Sequence, residues 1–172
     1  MQINRKFCMP NKETFKIKGI RELIQKYIST DKIWIDPFAR NSIFNDWCVA
    51  TNDLNPACET THHLPAIDFL RSMESNSIDG VLFDPPYSPR QVKECYNSIG
   101  RKVEQKDTQS KFWADLKKEI SRIVKKDGIV ISCGWNSGGI CKCNGFEIQE
   151  ILLINHGGPH NDTIVVVDKK IK

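Results

Sequence analysis

The chain has no apolar run approaching the roughly 20 residues that a membrane-spanning helix needs, which excludes a membrane-embedded protein of that kind and makes a membrane partner unexpected. Its start, Met1-Gln2-Ile3-Asn4-Arg5-Lys6, lacks the apolar core of a signal peptide, so a cytoplasmic location is expected. There is no internal repeat and no low-complexity tract, which excludes solenoids and compositionally disordered chains. Standard metal-ligand spacing is also missing. Cys133, Cys141 and Cys143 with His156 and His160 match no pattern of paired zinc ligands, and His62-His63 reads as a strand-to-loop pair, so no metal is expected. The seven cysteines are odd in number and scattered, which argues for reduced thiols rather than a disulfide framework. What remains is an ordinary globular composition, 172 residues with 40% hydrophobic content, enough for one buried core and a single domain over 1–172.

Hydrophobic period supplies an order of elements. Ile20, Leu23, Ile24, Tyr27 and Ile28 have the spacing of a helix with one buried face, and so do Phe112, Leu116, Ile120, Ile123 and Val124, with Asp127-Gly128 as the stop. Short apolar runs at 32–36, 48–53, 80–83 and 129–133 read as strands, and the segment Ser42 to Trp47 leaves room for little more than one helical turn. Two runs, 146–154 and 163–167, flank a turn-rich stretch and read as a closing hairpin. Strands alternating with helices and ended by a hairpin predict an α/β, Rossmann-like fold: a mostly parallel sheet with a C-terminal antiparallel hairpin, whose antiparallel strand is expected at the edge.

The most telling residues close the 80–83 strand. Asp84-Pro85-Pro86-Tyr87 puts two prolines, which cannot join a ladder, between an acid and an aromatic ring, at the strand's carboxyl end where open α/β sheets hold ligands. This resembles the DPPY motif of the amino-group methyltransferases that use S-adenosyl-L-methionine (AdoMet), most often the DNA adenine-N6 enzymes, and small phage-associated members look closest. The resemblance implies that the Asp84 carboxylate and the Pro85 carbonyl accept the N–H bonds of an exocyclic amine, that Tyr87 stacks on its base, and that the base is flipped out of a duplex. Asp36, Pro37, Phe38 and Ala39 look like the family's cofactor motif, DPFxGxG, although Arg40 and Ser42 stand at its glycines. Asn41, the better left-handed residue, is expected to carry the kink.

Further acids follow in order. Asp53, at the end of the 48–53 strand, is the candidate for ribose hydroxyls. Asp68 resembles the family's acceptor for the adenine amino group, with Phe69 packing beside it, and Asp36, Asp53, Asp68 and Asp84 each fall near the end of a predicted strand. The stretch 10–18 lies where the family has a loop over the methionine end of AdoMet. Phe15 could pack on the cofactor there and Lys12 or Lys16 reach its carboxylate, while a frayed terminus fits the residues equally.

Residues 89–126 contain 11 Lys or Arg against 5 Asp or Glu, including Arg90, Lys93, Arg101 and Lys102 in what reads as a loop after the catalytic turn. Such a patch can neutralise phosphates and suggests a nucleic-acid partner, DNA first and RNA as the alternative; a solvated helix face is the plainer reading. Trp135, in the loop after the fifth strand, would border the same cleft and either stack near the extruded base or cover the core. Only about 25 residues separate the catalytic turn from the next helix, so no separate target-recognition domain is expected, and specificity would come from a short loop, a partner or a second copy. The implied activity is adenine-N6 methylation of DNA. RNA methylation at adenine N6 or guanine N2, cytosine N4 as target, and a non-catalytic nucleic-acid-binding relic of the fold remain alternatives.

Overall fold

The computed structural model describes residues 1–172. Its seven strands form one sheet: β1 (Gln2–Phe7), β2 (Trp34–Asp36), β3 (Ala50–Thr51), β4 (Ile78–Phe83), β5 (Val124–Gly134), β6 (Phe146–Asn155) and β7 (Thr163–Lys170), in the order β1-β6-β7-β5-β4-β2-β3. All pairings are parallel except those of β7 with β5 and with β6. This is the Rossmann-like sheet expected, and the closing hairpin is β6–β7. The antiparallel strand, however, is interior rather than at an edge. Val165, Val166 and Val167 are all buried, so β7 is covered on both faces, as an interior strand must be. The edge belongs to β1, a strand whose polar, largely exposed residues gave no apolar signal; Arg5 and Lys6 suit an edge.

Helices cover both faces. On one, Ile20, Leu23 and Ile24 of α1 (Lys18–Tyr27) pack on Leu152, Ile154, Val165 and Val167. On the other, α2 (Ala66–Arg71) and α4 (Ser110–Ile123) cover Ile35, Val81, Phe83 and Val130. Leu116, Ile120 and Ile123 are fully buried, each worth about 1.5–3 kcal/mol of transfer free energy. No helix is long and apolar enough to cross a membrane.

Three segments differ from the sequence expectation. Asp68 is in the first turn of α2, not at a strand end; the buried residues Ala66, Phe69 and Leu70 have helical spacing, but a run this short fits either period. The basic stretch after the Asp84–Tyr87 turn holds a helix, α3 (Pro89–Ser98), begun by Ser88 as N-cap and Pro89 in the first turn. Asp127-Gly128 does not end α4. That helix stops at Ile123, where the buried Lys170 ammonium donates to the Ser121 and Val124 carbonyls at 2.7 and 2.6 Å, and 125–128 bulge from the start of β5 with Asp127 at φ 67°. The segment after β2 is indeed cut to a single 3-10 turn, Asn45–Trp47.

Candidate active site

At the carboxyl ends of β2, β3 and β4 lies a cavity of about 1070 Å3. Asp84, at its wall, leaves β4 on a turn held by three hydrogen bonds. The Tyr87 backbone N–H donates to Gln91 Oε1 at 2.6 Å, the Trp113 indole N–H donates to the Pro86 carbonyl at 2.8 Å, and the Tyr87 hydroxyl donates to Asp84 Oδ1. The Pro85 carbonyl accepts no bond from within the chain. Burial raises the Asp84 carboxyl above its ordinary range, opposed by hydrogen bonds from Tyr87 and Thr14 and by the Arg40 charge. Burial and the Asp84 charge push the Tyr87 hydroxyl well up, so it keeps its proton and remains a donor.

Asp36 is fully buried at the end of β2. Its Oδ1 accepts the Phe38 N–H at 2.9 Å while Oδ2 has no partner. Burial, with the Asp84 and Asp53 charges behind it, pushes this carboxyl well up. A cation placed against Oδ2 would relieve both the lost solvation and the repulsion. Pro37, Phe38 and Ala39 line the cavity beside it, as does the buried Phe15, whose ring meets Phe44 edge-on at 6.0 Å. Phe15 sits in a 3-10 turn, Thr14–Lys16, so this stretch is not frayed.

The turn after β2 departs from expectation at one residue. The left-handed conformation falls on Arg40, φ 49°, and not on Asn41, which instead accepts the Glu59 N–H through its side chain at 2.8 Å. Asp53 lines the cavity, with Oδ1 accepting the Asn55 N–H at 2.8 Å. Asp68 lines it too, its side chain exposed and 4.0 Å from Arg71, whereas Phe69 is turned fully into the core; Ile67 is the neighbour of Asp68 that faces the cavity.

The basic residues are placed differently. Arg90 and Lys93 stand exposed on α3 rather than in a loop, with Arg90 paired to Glu94 at 2.8 Å. Arg101 lies 5.2 Å over the Tyr96 ring at the cavity, and Lys102 is exposed outside it. Seven Lys or Arg and seven Asp or Glu line the cavity, so the positive patch belongs to the surface around it and not to its interior. Trp135 does not border the large cavity. It lies behind the Asp84–Tyr87 turn, edge-on to Tyr87 at 5.7 Å, in a smaller cavity of about 340 Å3 shared with Trp113. Tyr87 and Pro85 form the partition between the two.

Sequence reasoning missed three supports of the site. Trp113 and Gln91 hold the Asp84–Tyr87 turn. The buried Asn52 bonds through its side chain to the Pro37 and Leu64 carbonyls and the Leu64 N–H at 2.9–3.1 Å, fastening the Asp36–Ala39 turn to β3 and the loop before α2. The signal for Asn52 was a buried amide one residue before an acid, a position that Asp53 drew attention away from. No group of three His, Cys, Asp or Glu could hold a metal ion, and the His156 ring is engaged by the Cys8 carbonyl and Thr163 at 2.8 and 2.9 Å. Cys141 and Cys143 stand side by side across a tight turn with Cα atoms 5.3 Å apart, a proximity that spacing alone did not suggest.

No protein-family model and no curated protein matches this sequence. Solved structures do resemble it in fold. A SAM-dependent methyltransferase from Archaeoglobus fulgidus matches with TM-score 0.60 and 12% identity over 92% of this chain and 97% of its own. The 1,6-didemethyltoxoflavin-N1-methyltransferase of Burkholderia thailandensis, solved with its substrate and S-adenosylhomocysteine, matches with TM-score 0.60 and 9% identity over 88% and 76%. SMU.776, solved with SAH, matches with TM-score 0.59 and 12% identity over 88% of this chain and 48% of its own, so the present chain spans about half its length. The chain therefore has the fold of the AdoMet-dependent methyltransferases.

Proposed function

We propose that the chain is a methyltransferase that uses S-adenosyl-L-methionine and methylates adenine N6 in DNA, on a base swung out of the helix. The observation that carries the reading is the catalytic turn. Among its unengaged acceptors are the Pro85 carbonyl and the remaining valence of the Asp84 carboxylate, adjacent in the chain and beside a cavity large enough for both a nucleoside cofactor and a base.

The cofactor would supply an electrophilic methyl on a sulfonium sulfur. Asp36 does not itself line the cavity but lies buried behind Pro37, Phe38 and Ala39, where its orphaned Oδ2 suits the cofactor's ammonium; Asp53, in the lining, suits ribose hydroxyls. Asp84 and the Pro85 carbonyl would accept the two N–H bonds of the exocyclic amine and turn its lone pair toward the methyl; the N–C bond would form as the S–C bond breaks, releasing S-adenosylhomocysteine, and the methylated amine would pass its extra proton by way of the Asp84 carboxylate to solvent. The residues act by holding two partners in line, the source of most of the acceleration in reactions that need no covalent enzyme intermediate. Tyr87, whose hydroxyl steadies Asp84, presents its ring at the same place for the base face.

Transfer of labelled methyl from AdoMet to duplex DNA, single-stranded DNA and structured RNA, followed by nucleoside analysis, tests the reading. N6-methyladenine in DNA, lost in Asp84→Ala while S-adenosylhomocysteine binding persists, is the expected result. Label in RNA alone moves the activity to that substrate, label as N4-methylcytosine changes the target, and full activity in Asp84→Ala removes the assigned role of the turn. A chain that binds no cofactor is the non-catalytic relic.

A further inference from the structure

The backbone after β2 makes its left-handed turn at Arg40, a conformation that glycine adopts freely and a residue with a long side chain adopts only at a cost. The guanidinium has no carboxylate partner. Its one bond is from Nη1 to the Lys12 carbonyl at 3.3 Å, which spans from the β2 turn to the N-terminal segment across the wall of the large cavity. Of the other cations of that wall, Lys16, Arg71 and Lys106 are paired with Glu13, Asp68 and Glu104, and Arg101 lies over Tyr96; Lys12 and Lys111 are unpaired, but neither stands on the turn after β2. Arg40 thus brings a fork of five N–H donors with one engaged, on a strained but well-anchored turn, to the edge of a ligand-sized space. Strain kept at a cavity is a sign that the residue is used there.

We infer that Arg40 is the anion-recognition residue of this cavity, donating paired N–H bonds to an oxyanion of the bound molecule. The identity of that molecule rests on the proposed methyl transfer, which offers two sources of the same chemistry: the carboxylate on the amino-acid tail of the cofactor, or a phosphate of a nucleic-acid substrate. A planar guanidinium matches either with two parallel bonds. Glycine at this position would relax the turn and leave the oxyanion without its partner, which accounts for a costly residue at a place where a cheaper one fits.

The test is titration calorimetry of the wild type and Arg40→Gly with S-adenosylhomocysteine, with its decarboxylated analogue and with a single-stranded oligodeoxynucleotide, alongside melting curves. The glycine variant melts at or above the wild type, and its affinity for one anionic ligand falls at least tenfold. A fall for S-adenosylhomocysteine, with the decarboxylated analogue unaffected, identifies the cofactor carboxylate; a fall for the oligonucleotide alone identifies the phosphate. A variant that binds all three as the wild type does overturns this inference and leaves the proposed function standing. A variant that melts well below the wild type contradicts the strain on which the inference depends and overturns it too. A wild type that binds none of the three overturns both.

Discussion

The indole nitrogen of Trp113, on α4, donates to the carbonyl of Pro86 at 2.8 Å and so ties the proposed catalytic turn to a helix 27 residues further along the chain. Prolines fix the φ angles of the turn but not where it sits against the sheet; the Trp113 and Gln91 bonds do that. Trp113→Phe keeps the aromatic bulk and removes only the donor. We expect about 1 kcal/mol of lost stability, and a kcat for methyl transfer reduced about tenfold or more with the affinity for S-adenosylhomocysteine unchanged. Steady-state kinetics beside calorimetry measures this, and an unaltered kcat would show that the prolines suffice.

Asp168 gives the fold a dependence on pH. It is fully buried in β7, its Oδ2 accepts the Ile140 N–H at 2.9 Å, Oδ1 has no partner, and burial pushes its carboxyl up to about 6. A carboxyl raised in the folded state contributes stability that is present in full below its unfolded value, near 3.8, and is lost as pH rises through about 6. The shift corresponds to about 3 kcal/mol. Asp36 and Asp84 are shifted in the same direction, so the informative quantity is a difference. Denaturant melts of the wild type and Asp168→Asn should diverge between pH 4 and 7, with the wild type losing ground; parallel curves would mean that Asp168 is better solvated than its burial implies.

Gly80 is fixed by its neighbour in the sheet. The Trp34 ring of β2 lies across β4 where a Cβ at Gly80 would stand, so any side chain must displace a fully buried indole. Gly80→Ala is expected to cost about 1–3 kcal/mol, as overpacking of a core usually does. Because Trp34 is two residues before Asp36, the same variant should weaken cofactor binding, and thermal melts with and without S-adenosylhomocysteine would separate the two effects.

Much of the architecture was legible in the sequence because its signals were redundant. Helices α1 and α4 each repeat an apolar stripe, β4 is a continuous apolar run, and the acids at 36, 53 and 84 mark the ends of parallel strands or lie just beyond them. Illegible parts had signals that were short or absent. Ala66–Arg71 offers too few apolar residues to choose a period, and β1 has almost no buried residue to betray it, being held by pairing with β6. The start of α3 was legible in Ser88-Pro89, but the surrounding charges read as loop. Within the site, the motif acids could be placed, whereas Trp113, Gln91 and Asn52 act through contacts between distant segments that no local pattern records. Arg40 could be seen as a departure from the glycine motif; that the turn would be kept and its strain borne there could not.

The position of β7 bears on how the molecule is made. Within the sheet, Thr163–Lys170 is the one strand that joins the β6–β1 pair to the four strands leading to the proposed catalytic turn. During synthesis the first strand, Gln2–Phe7, must wait for Phe146–Asn155, and neither can join the rest until the segment at 163–170 has cleared the ribosome. The sheet cannot assemble strand by strand as it emerges, so folding is expected to be late and governed by distant contacts. A nascent chain stalled before Thr163 would hold two separate sheet fragments, with the β5 edge open to any passing strand.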